Sequence, residues 1–392
     1  MIPRLKTTIG IKELVAALRP ARIDDVERFE QDFATLMGQK YALAFPYGRT
    51  GMMLLFEALG FKEKEIICPA YTCVVVPHSI VYSGNTPVFV DCEQGGFNMD
   101  LNKAEKAITD KTEAIIATSL FGYPVDLDKL DMLKKKYPSI MIIQDCAHSF
   151  AAQWKGRPVQ KAGVAAVFGL NISKMLTSVF GGIITTDNEE LYNKLRRLRD
   201  KTLHPADWKK GLRRLAYLIS VFTALREPVY GIVNYLERYG LIDYFVQYYD
   251  ESKINMPADY LQQMTSLEAR VGRANIYMYE KIVEKRKAAA NYYFNNFGDK
   301  PEFILPPKVP GATYSHFVVQ VKDRNSWLKE GVEKGIQLGW LIEYSIPEMK
   351  AYGSYDPIKY PEAGRYSRST INLPVWGGEK LARRITWQLN HD

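Results

Sequence analysis

Apolar positions along this chain switch repeatedly between two periods. From Asp24 to Met37, the residues Val26, Phe29, Phe33 and Met37 recur at three- and four-residue steps, which predicts an amphipathic helix with Asp24 or Asp25 as its capping candidate. Tyr41–Phe45 is a short continuous apolar run and reads as a buried strand. The turn Pro46-Tyr47-Gly48-Arg49-Thr50-Gly51 follows, then a helix over Met52–Leu59 that stops at Gly60. The alternation goes on with strands at Glu65–Cys68, Pro87–Val90, Ala114–Thr118 and Ile140–Asp145. Helices at Val74–Tyr82, Leu101–Ile108 and Asp126–Tyr137 separate them. Strands alternating with helices predict a mostly parallel sheet covered on both faces, an α/β class.

The pattern changes after Leu191, where the chain reads as helical. Pro257 is expected to open a long helix towards Asn296. A strand at Phe317–Val321, a helix at Ser326–Lys334 and a loop-rich tail then suggest a smaller α+β C-terminal domain. The expected division is 1–255 and 256–392, with a helical insertion over 204–255 in the first part. That insertion is distinctive: Lys209, Lys210, Arg213 and Arg214 precede the mostly apolar run Leu215–Leu225. The run is too short to span a bilayer, which takes ~20 residues as a helix. Two readings stay open for 208–249: packing against the protein or a second subunit, or a peripheral membrane contact centred on 208–226.

Composition narrows the function classes. Of 392 residues, 47% are hydrophobic and 24% charged, ordinary for a globular enzyme of one large and one small domain. The net charge of +8 suits acidic ligands, but no basic stripe interleaved with aromatics and no helix-turn-helix signal is present, so nucleic acid is not an expected partner. Cys68, Cys73, Cys92 and Cys146 show no CxxC spacing, which argues against a zinc site or a disulfide framework. Met1–Lys6 lacks the apolar stretch of a signal peptide. The expected location is the cytoplasm, or a membrane surface if the apolar helices meet one.

The chemistry is concentrated in two segments. Ile140–Asp145 delivers a carboxylate, followed by Cys146-Ala147-His148. Ala165–Leu170 leads to Lys174 and then to Gly181-Gly182 with Ile183–Asp187, a hairpin-like return. The C-terminal ends of strands are where open α/β sheets bind ligands. A lysine and a carboxylate there suit pyridoxal 5′-phosphate (PLP), which needs an amine for its Schiff base and an acid beside its pyridine nitrogen. The Gly48–Gly51 turn ahead of a helix supplies an anion site for the phosphate. Asp145 also reads as a cap for a helix from Ala147, one turn of which would bring His148 to the same ligand. No GxGxxG follows the first strand, so a nicotinamide enzyme is not expected.

These pieces carry a resemblance. Gly48-Arg49-Thr50-Gly51, Pro69-Ala70-Tyr71-Thr72, Tyr82–Asp91, Phe121–Asp126, Gln144-Asp145-Cys146-Ala147-His148 and Lys174 with Gly181-Gly182 are similar to the DegT/StrS group of nucleotide-sugar aminotransferases, fold-type I PLP enzymes of the aspartate aminotransferase kind. The resemblance runs from about Asp25 to Arg199 and resumes more weakly from Met264. It implies a seven-stranded-type sheet in a large PLP domain and a homodimer with sites at the subunit interface. It further implies Lys174 as the Schiff-base lysine and general acid/base, Asp145 at the pyridine nitrogen and His148 beside the ring. Gly48, Arg49 and Thr50 would hold the phosphate, through backbone and side chains, and no metal is implied.

The chain departs from the group's pattern at several positions. Cys73 stands where an aromatic ring usually stacks on the cofactor. Gly169 replaces a serine and Leu261 replaces the partner subunit's asparagine, both phosphate ligands, while Arg49 replaces a small residue and could restore phosphate affinity. The expected activity is transfer of an amino group, from glutamate, to a keto sugar linked to a nucleotide, in polysaccharide or glycoconjugate biosynthesis. Sugar dehydration by relatives with histidine for the lysine is disfavoured by Lys174. A non-catalytic or sensory protein docked through 208–249 is the alternative from another class. Substrate-facing loops are expected to include Glu343, Tyr344 and Trp376.

Overall fold

The computed structural model describes residues 1–239, 241, 250–297 and 302–391. In chain order its strands are β1 (Tyr41–Phe45), β2 (Glu65–Pro69), β3 (Thr86–Val90), β4 (Thr112–Thr118), β5 (Met141–Asp145), the short hairpin β6 (Gln153–Trp154) and β7 (Arg157–Pro158), β8 (Ala165–Gly169) and β9 (Gly182–Thr186). All but the hairpin form one seven-stranded sheet, ordered β1-β9-β8-β5-β4-β2-β3. The block β3-β2-β4-β5-β8 is parallel, and β9 runs antiparallel to both neighbours. The helices of this half are α1 (Ile11–Leu18), α2 (Asp25–Met37), α3 (Gly48–Ala58), α4 (Val75–Tyr82), α5 (Leu101–Lys106), α6 (Leu127–Lys136) and α7 (Glu189–Thr202).

Strand alternation feeds two separate cores, which is why the runs are apolar throughout. Leu43, Phe45, Ile143, Val167 and Ile184 pack into one. Ala42, Ala44, Ala166, Phe168 and Ile183 pack into the other, against Phe29, Phe33 and Met37 of α2. The central strand β5 ends at Asp145, whose Cα partners are Thr118 on β4 and Val167 on β8. The sequence pattern thus places one carboxylate at the middle of the sheet's C-terminal edge.

The remaining chain forms α8 (Trp208–Ala224), α9 (Glu227–Arg238), α10 (Ser266–Ile276), α11 (Tyr279–Asn296), β10 (Phe317–Gln320), α12 (Arg324–Glu333), α13 (Pro361–Ser369), β11 (Thr370–Leu373) and α14 (Gly378–Asn390). β10 and β11 pair antiparallel. Tyr293 of α11 is buried there, and its hydroxyl donates to the Pro374 carbonyl at 2.7 Å. Trp376 is tied down the same way, with its indole N–H donating to Pro3 O at 3.1 Å. Gly240 and residues 242–249 of the predicted insertion lie outside the described residues.

Several expectations are corrected. The helix predicted from Met52 starts at Gly48, so the glycine-rich turn is itself the first turn of α3. No helix opens at Pro257. α10 begins at Ser266, where Thr265 and Glu268 form a reciprocal capping box, and a break at Tyr277-Met278 separates it from α11. No helix follows Asp145, so its carboxylate caps none; residues 146–150 form a tight turn instead. The tail holds two helices and a strand, α13, α14 and β11.

Candidate active site

Three glycines bring the chemistry together. Gly182 opens β9 opposite Phe45 on one side and Gly169 on the other. A Cβ at Gly182 would lie 2.3 Å from both the N and Cα of Gly48. One at Gly48 would meet Gly169 Cα and Phe168 O, each at 3.7 Å. The start of α3, the end of β8 and the start of β9 are therefore in backbone contact, an approach only small residues permit. Gly169 in turn lies under the lysine: its Cβ would sit 3.3 Å from Lys174 Cε. A serine there would crowd the lysine stem.

Lys174 sits in a loop stapled at its base. Leu170 N donates to Gly181 O at 2.9 Å, while Leu170 O accepts from Ser178 N (3.0 Å) and Thr177 Oγ1 (3.1 Å). Asn171 Oδ1 accepts from Ser173 N at 3.2 Å, and Lys174 N donates to Asn171 O at 3.0 Å. Val179 stands at φ 76°, an unusual state for a β-branched residue, held by a bond from its N–H to Thr177 Oγ1. Lys174 is half-buried. Burial pushes its ammonium below the ordinary lysine value, against the pull of Cys73 and Asp145.

Asp145 is 6% exposed and accepts from Ala147 N (3.1 Å) and Thr118 Oγ1 (3.2 Å). Burial raises its carboxyl above the ordinary value, opposed by the Ala147 amide, Lys174 and Thr118. A cation brought to it would draw it back to the ionised form. His148 is buried, with Nδ1 accepting from Phe121 N at 3.4 Å, which places its proton on Nε2. Burial, then Lys174, His316 and Arg286, hold this imidazole well below its ordinary value, so it is neutral.

The anion site is the first turn of α3. The leading amides of a helix have no carbonyl partner in a preceding turn, and they favour negative charge. Arg49 adds a cation. Its Nη1 donates to Asn255 O at 3.3 Å, burial lowers its value, and the groups acting on it are Cys73, Tyr47, Tyr344 and Tyr82. No carboxylate pairs with Arg49 among the described residues. Thr50 is fully buried and its hydroxyl donates to Tyr260 O at 3.1 Å, so the hydroxyl's proton is already committed. Cys73 lies within the electrostatic reach of both Arg49 and Lys174. The structure thus gathers Lys174, Asp145, His148, Gly48, Arg49, Thr50 and Cys73 around one edge of the sheet.

Sequence reasoning missed His316 and Arg286. His316 lies 5.3 Å from His148 between ring centroids and shares the Phe121 ring with it. Arg286 on α11 is 4% exposed, donates to Ser315 O and is pushed by burial to about 10. The signal for His316 was weak: one of five histidines, sitting just before the apolar run Phe317–Val321. Of the expected substrate loop, the Tyr344 hydroxyl accepts from Val74 N at 3.2 Å, next to Cys73.

The residues fit PLP: a lysine whose ammonium burial holds below its ordinary value, a carboxylate for a ring nitrogen and a phosphate turn with its own cation. Comparison with known proteins agrees. The spore coat polysaccharide biosynthesis protein SpsC of Bacillus subtilis is 23% identical over 363 residues, 90% of this chain and 84% of that protein. The dTDP-3-amino-3,6-dideoxy-alpha-D-galactopyranose transaminase of Aneurinibacillus thermoaerophilus is 27% identical over 359 residues, 90% of this chain and 85% of that protein. Matches to three further curated relatives span only 48–56% of those proteins' lengths. The fold is that of the sugar aminotransferase Spr1654 of Streptococcus pneumoniae, assigned that activity putatively in its solved PMP form, with TM-score 0.77 and 22% identity over 99% of this chain and 98% of that one. These relatives leave the non-catalytic alternative without support. Residues 20–383 match the DegT/DnrJ/EryC1/StrS aminotransferase family, and the chain belongs to it, a PLP-dependent sugar aminotransferase of fold type I.

Proposed function

We propose that this enzyme transfers the amino group of L-glutamate to a keto sugar carried on a nucleotide, for cell-surface polysaccharide or glycoconjugate synthesis. One observation carries the reading. Lys174 lies over Gly169 and within electrostatic reach of Asp145, beside a helix N-terminus whose arginine has no acidic partner among the described residues.

When bound, PLP supplies the electron withdrawal that weakens the bond from the donor's α-carbon to its hydrogen. Asp145, oriented by Thr118 and Ala147, would hold the proton on the ring nitrogen. The Lys174 amine, whose proton burial makes easier to lose, takes the proton from the donor's α-carbon in one half-reaction and returns one to the sugar carbon in the other. Gly48, Arg49 and Thr50 bind the phosphate, Arg49 by paired N–H donors. Neutral His148 would lie beside the ring and Cys73 at the stacking position, within electrostatic reach of Arg49 and Lys174. Two half-reactions through one site give ping-pong kinetics.

In this reading residues 1–255 form the PLP-binding domain, 256–392 the small one, and the enzyme works as a cytoplasmic homodimer. Its membrane contact is peripheral. Trp208, Leu212 and Ile219 on α8, Ile232 and Tyr235 on α9 and Tyr239 just after it are 50–74% exposed, flanked by exposed Lys209, Arg213 and Arg226, a pattern suited to an anionic bilayer surface. Among the described residues no helix is long and apolar enough to cross a membrane.

The test is to incubate the PLP-loaded enzyme with L-glutamate, follow loss of the visible band, then add nucleotide-linked 3-keto and 4-keto sugars and identify products by mass spectrometry. Amino sugar formation that disappears in Lys174→Ala is expected. A loaded enzyme that reacts with no amino acid would overturn the proposal.

A further inference from the structure

The helical insertion ends in the cofactor site through a chain of buried polar contacts. Lys210 on α8 is completely buried, and its Nζ donates to the carbonyls of Gln262 (2.8 Å) and Gln263 (2.9 Å). One turn on, Arg214 spreads its fork over three partners. Nε donates to Glu268 Oε1, and Nη2 to Asp259 Oδ2 and the Tyr47 hydroxyl, all at 2.8 Å. The Tyr47 hydroxyl donates onward to Asp259 Oδ1 at 2.5 Å. The guanidinium also lies 4.0 Å above the Phe180 ring, just before Gly181.

Tyr47 is the residue at which α3 begins, immediately ahead of Gly48. Two residues of that first turn are tied to the same stretch of chain, Arg49 to Asn255 O and Thr50 to Tyr260 O. Three of the four residues Tyr47–Thr50 are thus fixed to 255–260, and 259–268 is fixed to α8 by two buried cations. Lys210 and Arg214 face Asp259 and Glu268, two cations against two carboxylates. The cluster is balanced and asks for no ligand of its own; its effect is on geometry.

We propose that Arg214 is a positioning residue for the anion turn, acting through the Tyr47 hydroxyl and Asp259. The insertion helix thereby braces the phosphate site from outside. Rigid placement matters more here because Gly169 and Leu261 offer no side-chain donor, leaving backbone amides and Arg49 to bind the anion. An anion site built from amides is only as good as their fixed orientation. The proposal rests on the reading of Gly48–Thr50 as the phosphate site.

Tyr47→Phe removes one hydroxyl and keeps both Arg214 ion pairs, so it is the variant to make first in the full chain, with Arg214→Lys as the second. Apoprotein is titrated with PLP and with pyridoxal, which lacks the phosphate, and its melting temperature is recorded. Both variants are expected to weaken PLP by roughly 5–10-fold, the size of a net hydrogen-bond contribution, with pyridoxal affinity little changed, while apoprotein melting falls more in Arg214→Lys, which also gives up buried partners. Equal weakening of both ligands, or of neither, overturns the positioning role. A wild-type protein that binds pyridoxal as tightly as PLP overturns the phosphate reading first, and the brace with it.

Discussion

Gly182→Ala is the substitution whose effect follows most directly from the geometry. The new methyl group would stand 2.3 Å from Gly48 N and Cα and 2.7 Å from Tyr47 C. These are backbone atoms, so no rotamer change relieves the clash. Ordinary contact needs about 3.4 Å or more, so the α3 turn and β9 must part by about 1 Å. That strains the Phe45–Gly182 and Gly169–Gly182 pairings at once. Gly182 is not in the left-handed region, so alanine gains about 0.5 kcal/mol by restricting the unfolded chain. Overpacking with a backbone shift outweighs this at about 3 kcal/mol. Gly169→Ala is the control. Its methyl group meets the flexible Lys174 Cε at 3.3 Å and Ala147 Cβ at an ordinary 3.6 Å, and costs under about 1 kcal/mol. Urea unfolding followed by near-UV circular dichroism, with PLP titration alongside, separates the two. Gly182→Ala should shift the first transition to lower urea and lose PLP affinity at least tenfold, by displacing the amides that bind phosphate. A wild-type midpoint with wild-type PLP affinity would refute the convergence of the three glycines.

Three further outcomes are expected. Burial holds the Asp145 carboxyl above its ordinary value of 3.8, so its ionisation costs the folded apoprotein stability at pH above the raised value, and that cost fades as pH falls towards 3.8. Asp145→Asn, whose amide can still meet Thr118 and Ala147, should raise the apoprotein melting temperature at neutral pH, with the gain shrinking in acid, while transamination is lost; an unchanged melting temperature would contradict this. Arg49→Ala should weaken PLP by roughly 10–150-fold, from about 1.5–3 kcal/mol of charge-assisted bonding; unchanged affinity would show that the amides suffice. Iodoacetamide should label Cys73 alone in the native protein, because Cys68, Cys92 and Cys146 are fully buried and their thiols are pushed up by burial, and PLP should protect it. Labelling that PLP leaves untouched would place Cys73 outside the site.

The local patterns were legible wherever burial is one-sided or complete. The strand runs and α2 declared themselves by period, and Asp145 and Lys174 by standing at the ends of buried runs. Boundaries failed where backbone bonding overrides composition. Glycine content made Gly48–Gly51 look like a loop, yet tertiary contact with Gly169 and Gly182 makes a helical turn of it. Pro257 looked like a helix start, but the Thr265–Glu268 box fixes the start later. The brace was invisible because Lys210 and Arg214 read as a surface charge run. Only folding shows that they are buried while their neighbours Lys209 and Arg213 are exposed. His316 and Arg286 reach the site across 168 and 138 residues of sequence from His148, so no local pattern could announce them.

The central claim is that Lys174 is the residue to which PLP attaches. Purified protein with added PLP should show a visible Schiff-base absorbance band. After borohydride reduction, peptide mapping should find the pyridoxyl group on Lys174. No band, or a mark on another lysine, would contradict the assignment and show that the replacements at Cys73, Gly169 and Leu261 have dismantled the site.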